Sequence, residues 1–412
     1  MSTKTAKEAL DILLAHAVAT EHHEVVPLQF ALGRVLSQDL ISQVDVPPMD
    51  NSQMDGYAVR AQDVLKEGTI LTVSQRIPAG YVGQALEAQT AARIFTGASI
   101  PPEANAVLMQ EDCEVLGELE SHQNTYQIKV NHVPKPGEWI RPKGEDIQEK
   151  STILKAGTFF RPQEIGVAAS VGVTQVSVKK KIKVALFFTG DELVLPGNPL
   201  KPGAIYNSNR DTLIACVKSL GCDYTDFGIV PDSLDATKKT LKEAAKDHDL
   251  IVTSGGVSVG EEDHIKPAVS AEGKLEMWQI SIKPGKPLAF GSVNREQGQT
   301  WFMGLPGNPV SSFVTFLLFV KPFILKLQGR LSYVEPRFQL EANFDWKKPD
   351  RRNEFLRVRI NQEGKLDLFP NQSSGVLTSA AWADGLADIP AGKAIQRGDF
   401  VSYIPFSQLL HG

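Results

Sequence analysis

The segment Thr253-Ser254-Gly255-Gly256-Val257-Ser258-Val259-Gly260-Glu261-Glu262-Asp263 offers the clearest chemistry in the sequence. It follows the apolar run DLIVTS and reads as a strand that breaks into a turn. Gly255 and Gly256 permit a tight bend and a close approach of backbone to ligand. Successive N–H groups in such a bend can cradle phosphate oxygens, with Ser254 and Ser258 adding hydroxyls. A strand-to-helix turn that binds nothing would use the same glycines. The spacing matches neither GxGxxG nor GxxxxGK[ST], so neither a dinucleotide fold nor a Walker loop is supported.

Asp263 follows that turn, and Glu192, in Thr189-Gly190-Asp191-Glu192-Leu193, follows another strand of the same unit. Two carboxylates beside a phosphate site repel it unless a cation bridges them, and a hard ion such as Mg2+ suits oxygen ligands. Ordinary solvated acids, with Asp191 as a helix cap, would give the same residues. Lys283 and Lys286 flank a Pro-Gly turn, where point charges suit oxyanions. A surface turn with solvated lysines is equally compatible. In Gly304-Leu305-Pro306-Gly307-Asn308-Pro309 the glycine lets the chain turn, Asn308 can cap and Pro309 suits a first helical turn. Its free N–H groups offer a second oxyanion site, or capping alone. His264, beside Asp263, is either a substrate contact or a helix-surface residue.

Three polar breaks lie between residues 45 and 146: DNSQMDGYA around Asp55, RIFTGA around Thr96, and RPKGEDI ending near Asp146. Singly they read as turns. The eight histidines form no HExxH motif, no serine sits in a GxSxG elbow, and Cys113, Cys216 and Cys222 form no CxxC pair. The cysteines read as buried small hydrophobes.

The elements that must carry these residues change character along the chain. Residues 6–19 repeat apolar positions at helical spacing, Pro27 ends that unit, and a short helix is expected over Leu28–Leu36. Short strand-like runs (LTVSQRI, ARIFT, AVLMQ, YQIKV) separated by turn residues predict a β-rich module. Residues 150–180 read as strand, short helix, strand. From about 182, strands alternate with helices, which predicts βαβ units around a mostly parallel sheet with ligands beyond its carboxyl ends. The tail from about 331 reads as a small β domain.

With 43 basic and 48 acidic residues the formal net charge is -5, which gives no general attraction for nucleic acid or anionic membrane. The N-terminus lacks a continuous signal-peptide core, and the octet FVTFLLFV is shorter than the ~20 residues a span needs. The cytoplasm is the consistent compartment.

Taken together, DNSQMDGYAV, IFTGASIP, RPKGEDI, FFTGDEL, GAIYNSN, TSGGVSVGEEDH, IKPGKPLAFG and GLPGNPVSS closely resemble the molybdopterin molybdenumtransferase (MoeA) family, to which the C-terminal part of gephyrin also belongs. Their order covers nearly the whole chain. The resemblance implies a multidomain α/β subunit of four parts, the N-terminal helix being counted with the central one. They are an N-terminal helix (1–26) on the central domain, a linking α/β domain (27–44 and 147–180), an inserted β-rich domain (45–146), a central molybdopterin-binding α/β domain (181–328) and a C-terminal β domain (329–412). It implies a homodimer whose cleft includes parts of the partner subunit. Its partners would be a molybdopterin adenylyltransferase and molybdoenzyme maturation factors. The implied reaction inserts molybdate into adenylated molybdopterin with Mg2+ and releases AMP. Adenylation of molybdopterin, or a non-catalytic molybdopterin scaffold, are the alternatives.

Carried onto this chain, the resemblance makes Asp55, Glu192, Asp263 and Lys283 catalytic, with Glu192, Asp55 and Asp263 as metal ligands. Substrate contacts fall to Thr96, Asp146, Ser254, Gly255, Gly256, Ser258, Gly260, His264, Lys286, Pro306, Pro309, Arg357 and Ser374. Relatives often carry a lysine four residues before the position of Lys283, where this chain has Gln279, which brings no charge to an oxyanion.

Overall fold

The computed structural model describes residues 4–117, 125–256, 264–331 and 335–411. Thr5 opens the first helix, Ala6–His16, with a capping box: its hydroxyl accepts from Glu8 N (3.3 Å) and the Glu8 carboxylate accepts from Thr5 N (2.8 Å). The apolar stripe of this helix buries Ala9 and Leu13 in the main core. His16 contacts the rings of Phe290 and Trp301 at 5.5 and 5.6 Å, which fastens the helix to the central sheet.

The expected helix over Leu28–Leu36 is a single 3-10 turn, Leu28–Phe30. Gly33, at φ 75°, turns the chain, and Val35 and Leu36 then bridge Phe159 and Val178 in extended pairing. A strand, His23–Pro27, precedes it and pairs antiparallel with Gln175–Lys179. These strands and the helix Pro162–Ser170 enclose a small core around Leu28, Leu36, Phe160 and Val178.

Residues 56–130 build a six-stranded sheet. At its interior runs Gly56–Val59, between Thr90–Ile94 and Ala106–Met109, where the sequence suggested only a polar turn. A Cβ on Gly56 would lie 1.8 Å from Leu108 O, so only glycine lets these backbones approach.

The central sheet is mixed. Asp223–Val230, Lys183–Thr189, Leu250–Ser254 and Gln299–Leu305 run parallel, while Pro287–Asn294 and Gly273–Gln279 are added antiparallel. Helices Ser208–Ser219 and Leu234–Asp247 cover it, with the apolar residues of each turned to the sheet. A third sheet holds the strands of residues 338–405, and Ile282–Lys283 joins it in parallel with Asn353–Ile360. The central unit thus contributes a strand to the C-terminal sheet.

Pro309 opens a helical stretch to Leu327 that contains a π-helical turn, Phe316–Val320, beside Pro322, which has no N–H to give the preceding turn. At 19 residues it is long and apolar enough to cross a membrane, yet 89% of that stretch is buried within the fold. It is the spine of the largest core, longer than the apolar octet alone suggested.

Lys321, fully buried in that helix, donates to the Gln408 carbonyl. Burial pushes its ammonium from the ordinary 10.5 down to about 8. The folded value lies below the unfolded one, so between them the unfolded chain binds more protons and stability should rise with pH. Urea midpoints measured from about pH 8 to about pH 10 should climb in the wild type more steeply than in Lys321→Met.

Candidate active site

The strands Lys183–Thr189, Leu250–Ser254 and Gln299–Leu305 end side by side, and a cavity of about 770 Å³ lies beyond their carboxyl ends. Each strand is followed by a turn that the packing dictates. Gly255 and Gly256 adopt φ 99° and 63°. A Cβ on Gly255 would lie 2.4 Å from Thr189 O, and one on Gly256 would lie 2.8 Å from Thr189 Oγ1. The paired glycines therefore let this turn close onto the end of the neighbouring strand.

Ser254 is buried, and its hydroxyl is committed inside the fold. It donates to Pro306 O (2.9 Å) and accepts from Asn209 Nδ2 (2.8 Å). Asn209 also donates to Gly307 O at 2.7 Å. Ser254 is thus a positioning residue tying two strand ends and the helix Ser208–Ser219 together, whereas the sequence suggested a hydroxyl offered to ligand.

Lys283, Lys286, Pro306, Pro309, Gly255, Glu192 and Ser374 all line the cavity. Lys283 carries counter-ions: its Nζ lies 3.0 Å from Glu354 Oε1 and 3.5 Å from Asp350 Oδ2. Asp350 is gripped through both oxygens by Arg352, at 3.0 and 2.9 Å, and this guanidinium holds the Asp350 carboxyl far below its usual range. Lys286 has no ion-pair partner among the described residues. Among the described lining residues the cations are Lys283, Lys286 and Arg352 and the carboxylate is Glu192; Asp350 and Glu354 already pair Lys283 and Arg352, so the charge left to a ligand is mainly that of Lys286.

Arg357 lies behind this wall. It lines an adjoining cavity of about 260 Å³ with Lys283, Pro284, Glu354 and Gln372. The guanidinium is buried and bonded to Ser379 Oγ and to the carbonyls of Phe355 and Ser373, and burial pushes it down to about 10. A second adjoining cavity, about 270 Å³, is lined by Gly256, Glu192 and Asp232.

Among the described residues, Asp55 and Glu192 do not line a common cavity. Asp55 lies in the inserted sheet, where Thr96 donates to it through both N and Oγ1 at 2.8 Å. These bonds, with Arg93 nearby, hold its carboxyl below the usual range. Asp55, Thr96 and the exposed Asp146 do not line the described cavities. Asp263, Ser258 and Gly260 lie outside the described residues. His264 caps the helix Ile265–Glu272 with its backbone and does not line the cavity. Among the described residues no three His, Cys, Asp or Glu side chains converge on a common point. Gln279 ends an edge strand opposite Pro287 and does not line the cavity either.

Sequence reasoning passed over Thr189, Asn207, Asn209, Asp232 and Arg352. The asparagines stand in the GAIYNSN motif, which marked them without giving them a task. Arg352 and Asp232 carry no local signal, because only folding brings them to the strand ends.

A mixed α/β sheet with a cavity beyond its parallel strand ends, bordered by residues of the C-terminal unit, is a ligand-binding α/β architecture. Residues 4–172 match the MoeA N-terminal region (domain I and II), 185–326 a probable molybdopterin binding domain, and 339–406 the MoeA C-terminal region (domain IV). The molybdopterin molybdenumtransferase of Haemophilus influenzae is 36% identical over 94% of this chain and 95% of its own length. The crystal structure of the molybdopterin biosynthesis moeA protein of Pyrococcus horikoshii superposes with a TM-score of 0.85 at 30% identity, covering 98% of this chain and 100% of that one. Gephyrin of Dictyostelium discoideum is 31% identical over 96% of this chain and 61% of its own. The chain belongs to the molybdopterin molybdenumtransferase (MoeA) family and is an enzyme of molybdenum cofactor maturation.

Proposed function

We propose that the chain inserts molybdate into adenylated molybdopterin with release of AMP, in the cavity beyond the parallel strands. The observation that carries this reading is the wall itself: Lys286, with the ion-paired Lys283 and Arg352, around glycine turns that bring backbone close to a ligand. Cleaving a phosphoanhydride needs charge stabilisation and a positioned oxygen nucleophile more than a covalent intermediate. Lys286 offers charge to substrate oxygens, while Lys283 and Arg352 are held in place by Asp350 and Glu354. The dithiolene sulfurs belong to the pterin, so Cys216 and Cys222, whose thiols burial pushes up to about 12, are not required.

Mg2+ fits the donor set as an ion held largely by substrate oxygens and water, with Glu192 and Asp232 as its protein carboxylates. When bound it would neutralise phosphate charge.

The functional unit in this reading is a cytoplasmic homodimer. Val25, Phe30 and Leu32 expose 63%, 63% and 59% of their surface, more than solvent favours for three neighbouring apolar side chains. Asp55 and Thr96 do not line the chain's own described cavities, and in this reading they complete the cavity of a second copy.

The test is purified protein with adenylated molybdopterin, molybdate and Mg2+, reading AMP release and active cofactor. Glu192→Gln and Asp55→Ala should each lower AMP release by about 100-fold, the scale of losing one charge-stabilising group. Co-refolded mixtures of the two variants should recover activity through dimers with one intact cleft. Recovery absent from the mixture removes the shared cleft, and wild-type protein releasing no AMP removes the transferase reading.

A further inference from the structure

The helix Ser208–Ser219 begins at the cavity, with Asn207, Ser208 and Asn209 in its wall. Its N-terminus carries first-turn N–H groups without intrahelical acceptors and the positive end of the helix dipole. Asn207 is the N-cap. Its Oδ1 accepts from Arg210 N at 3.1 Å, which fixes the plane of the amide. The other end of that amide is unexplained. Asn207 is only 2% exposed, yet its Nδ2 has no hydrogen-bond partner among the described residues.

A cap needs only the oxygen, and aspartate or serine would serve as well. An orphaned buried donor is costly to the fold unless something accepts from it. Thr189, 3% exposed and in the same cavity wall, has an Oγ1 without a partner as well. Two buried donors, a helix N-terminus and Lys286, which has no ion-pair partner among the described residues, share one cavity. The chemistry that satisfies all of them is an anionic oxygen.

We infer that the N-terminus of helix Ser208–Ser219 is a phosphate subsite, in which Asn207 Nδ2 donates to a phosphate oxygen of the adenylated substrate. The inference rests on the transferase reading above and adds a subsite to it. Asn207 thereby has two separable tasks: its oxygen holds the helix and its nitrogen holds the ligand.

Calorimetric titration of the full chain with AMP, beside thermal unfolding, separates the tasks. Asn207→Asp keeps the capping oxygen, removes the donor and sets a charge against phosphate. Asn207→Ser keeps a capping oxygen, adds no charge and withdraws the amide nitrogen. AMP affinity should fall at least 10-fold in the aspartate variant and several-fold in the serine variant, with unfolding midpoints near wild type. If the aspartate variant fails to fold, the serine variant decides on the same reading. Wild-type affinity in a folded Asn207→Ser protein would overturn the subsite while leaving the transferase reading intact. A wild-type chain that does not bind AMP at all would remove the phosphate reading of the cavity together with the subsite.

Discussion

Replacing Glu354 with alanine should lower folding stability by about 3 kcal/mol, the scale of breaking a buried ion pair from one side. Glu354 is 1% exposed, and three groups depend on it. Its Oε2 accepts from Trp346 Nε1 at 2.8 Å and from Asp350 N at 2.9 Å, while Oε1 faces Lys283 Nζ at 3.0 Å. Truncation leaves two N–H groups without their acceptor and a lysine without its nearest counter-ion, and each abandoned buried donor costs about 1–3 kcal/mol. Part of the lysine term is screened, because the Lys283 side chain is 40% exposed and Asp350 remains beside it. The loss should appear as a lower urea midpoint with an unchanged slope. Glu354→Gln keeps one acceptor and should lose less. An unchanged midpoint in the alanine variant would show that the network does not bind the C-terminal sheet to the central unit.

The same network reaches the cavity through Lys283 and Arg352. With Glu354 removed, Lys283 keeps only Asp350, at 3.5 Å, and is held less firmly, so the KM for molybdate should rise more than kcat falls. That split distinguishes loss of positioning from loss of a chemical group.

Gly255→Ala should abolish most turnover while leaving the fold standing. The residue sits at φ 99°, which an alanine adopts only with strain, and the new Cβ would meet Thr189 O at 2.4 Å. Neither obstacle is a flexible side chain that can move aside. The turn must shift by a sizeable part of an ångström, and a misplacement of about 1 Å can cost about 100-fold in rate. The bonds of Ser254 to Pro306 and Asn209 hold the strand end below the turn, so the disturbance stays local. AMP release from the variant, measured beside its thermal unfolding curve, checks both parts. Turnover near that of the wild type would mean that the turn is not part of the substrate wall.

The sequence by itself determined the features that depend on a few adjacent residues. Paired glycines after an apolar strand define a sharp turn, and Pro309 after Asn308 defines a helix start. Strands alternating with helices placed the cavity beyond the carboxyl ends of a sheet, and Lys286, Glu192 and Pro306 do line it. These features follow from backbone sterics and local hydrogen bonding, which act over one or two turns of chain.

Other features required the tertiary structure. Gly56–Val59 looked like a turn because its polar flanks dominate the local pattern, yet two neighbouring strands make it the interior of a sheet. Ser254 looked like a ligand contact, and its hydroxyl is consumed by residues 45 and 52 positions away in the chain. Lys283 looked like a free cation, and its counter-ions arrive from a different sheet. Asp55 and Thr96 looked like separate polar breaks, and the fold joins them by two hydrogen bonds. A residue type states which bonds a side chain can make. Which bond it makes depends on what the packed chain brings within about 3 Å, and that distance is set by contacts remote in sequence.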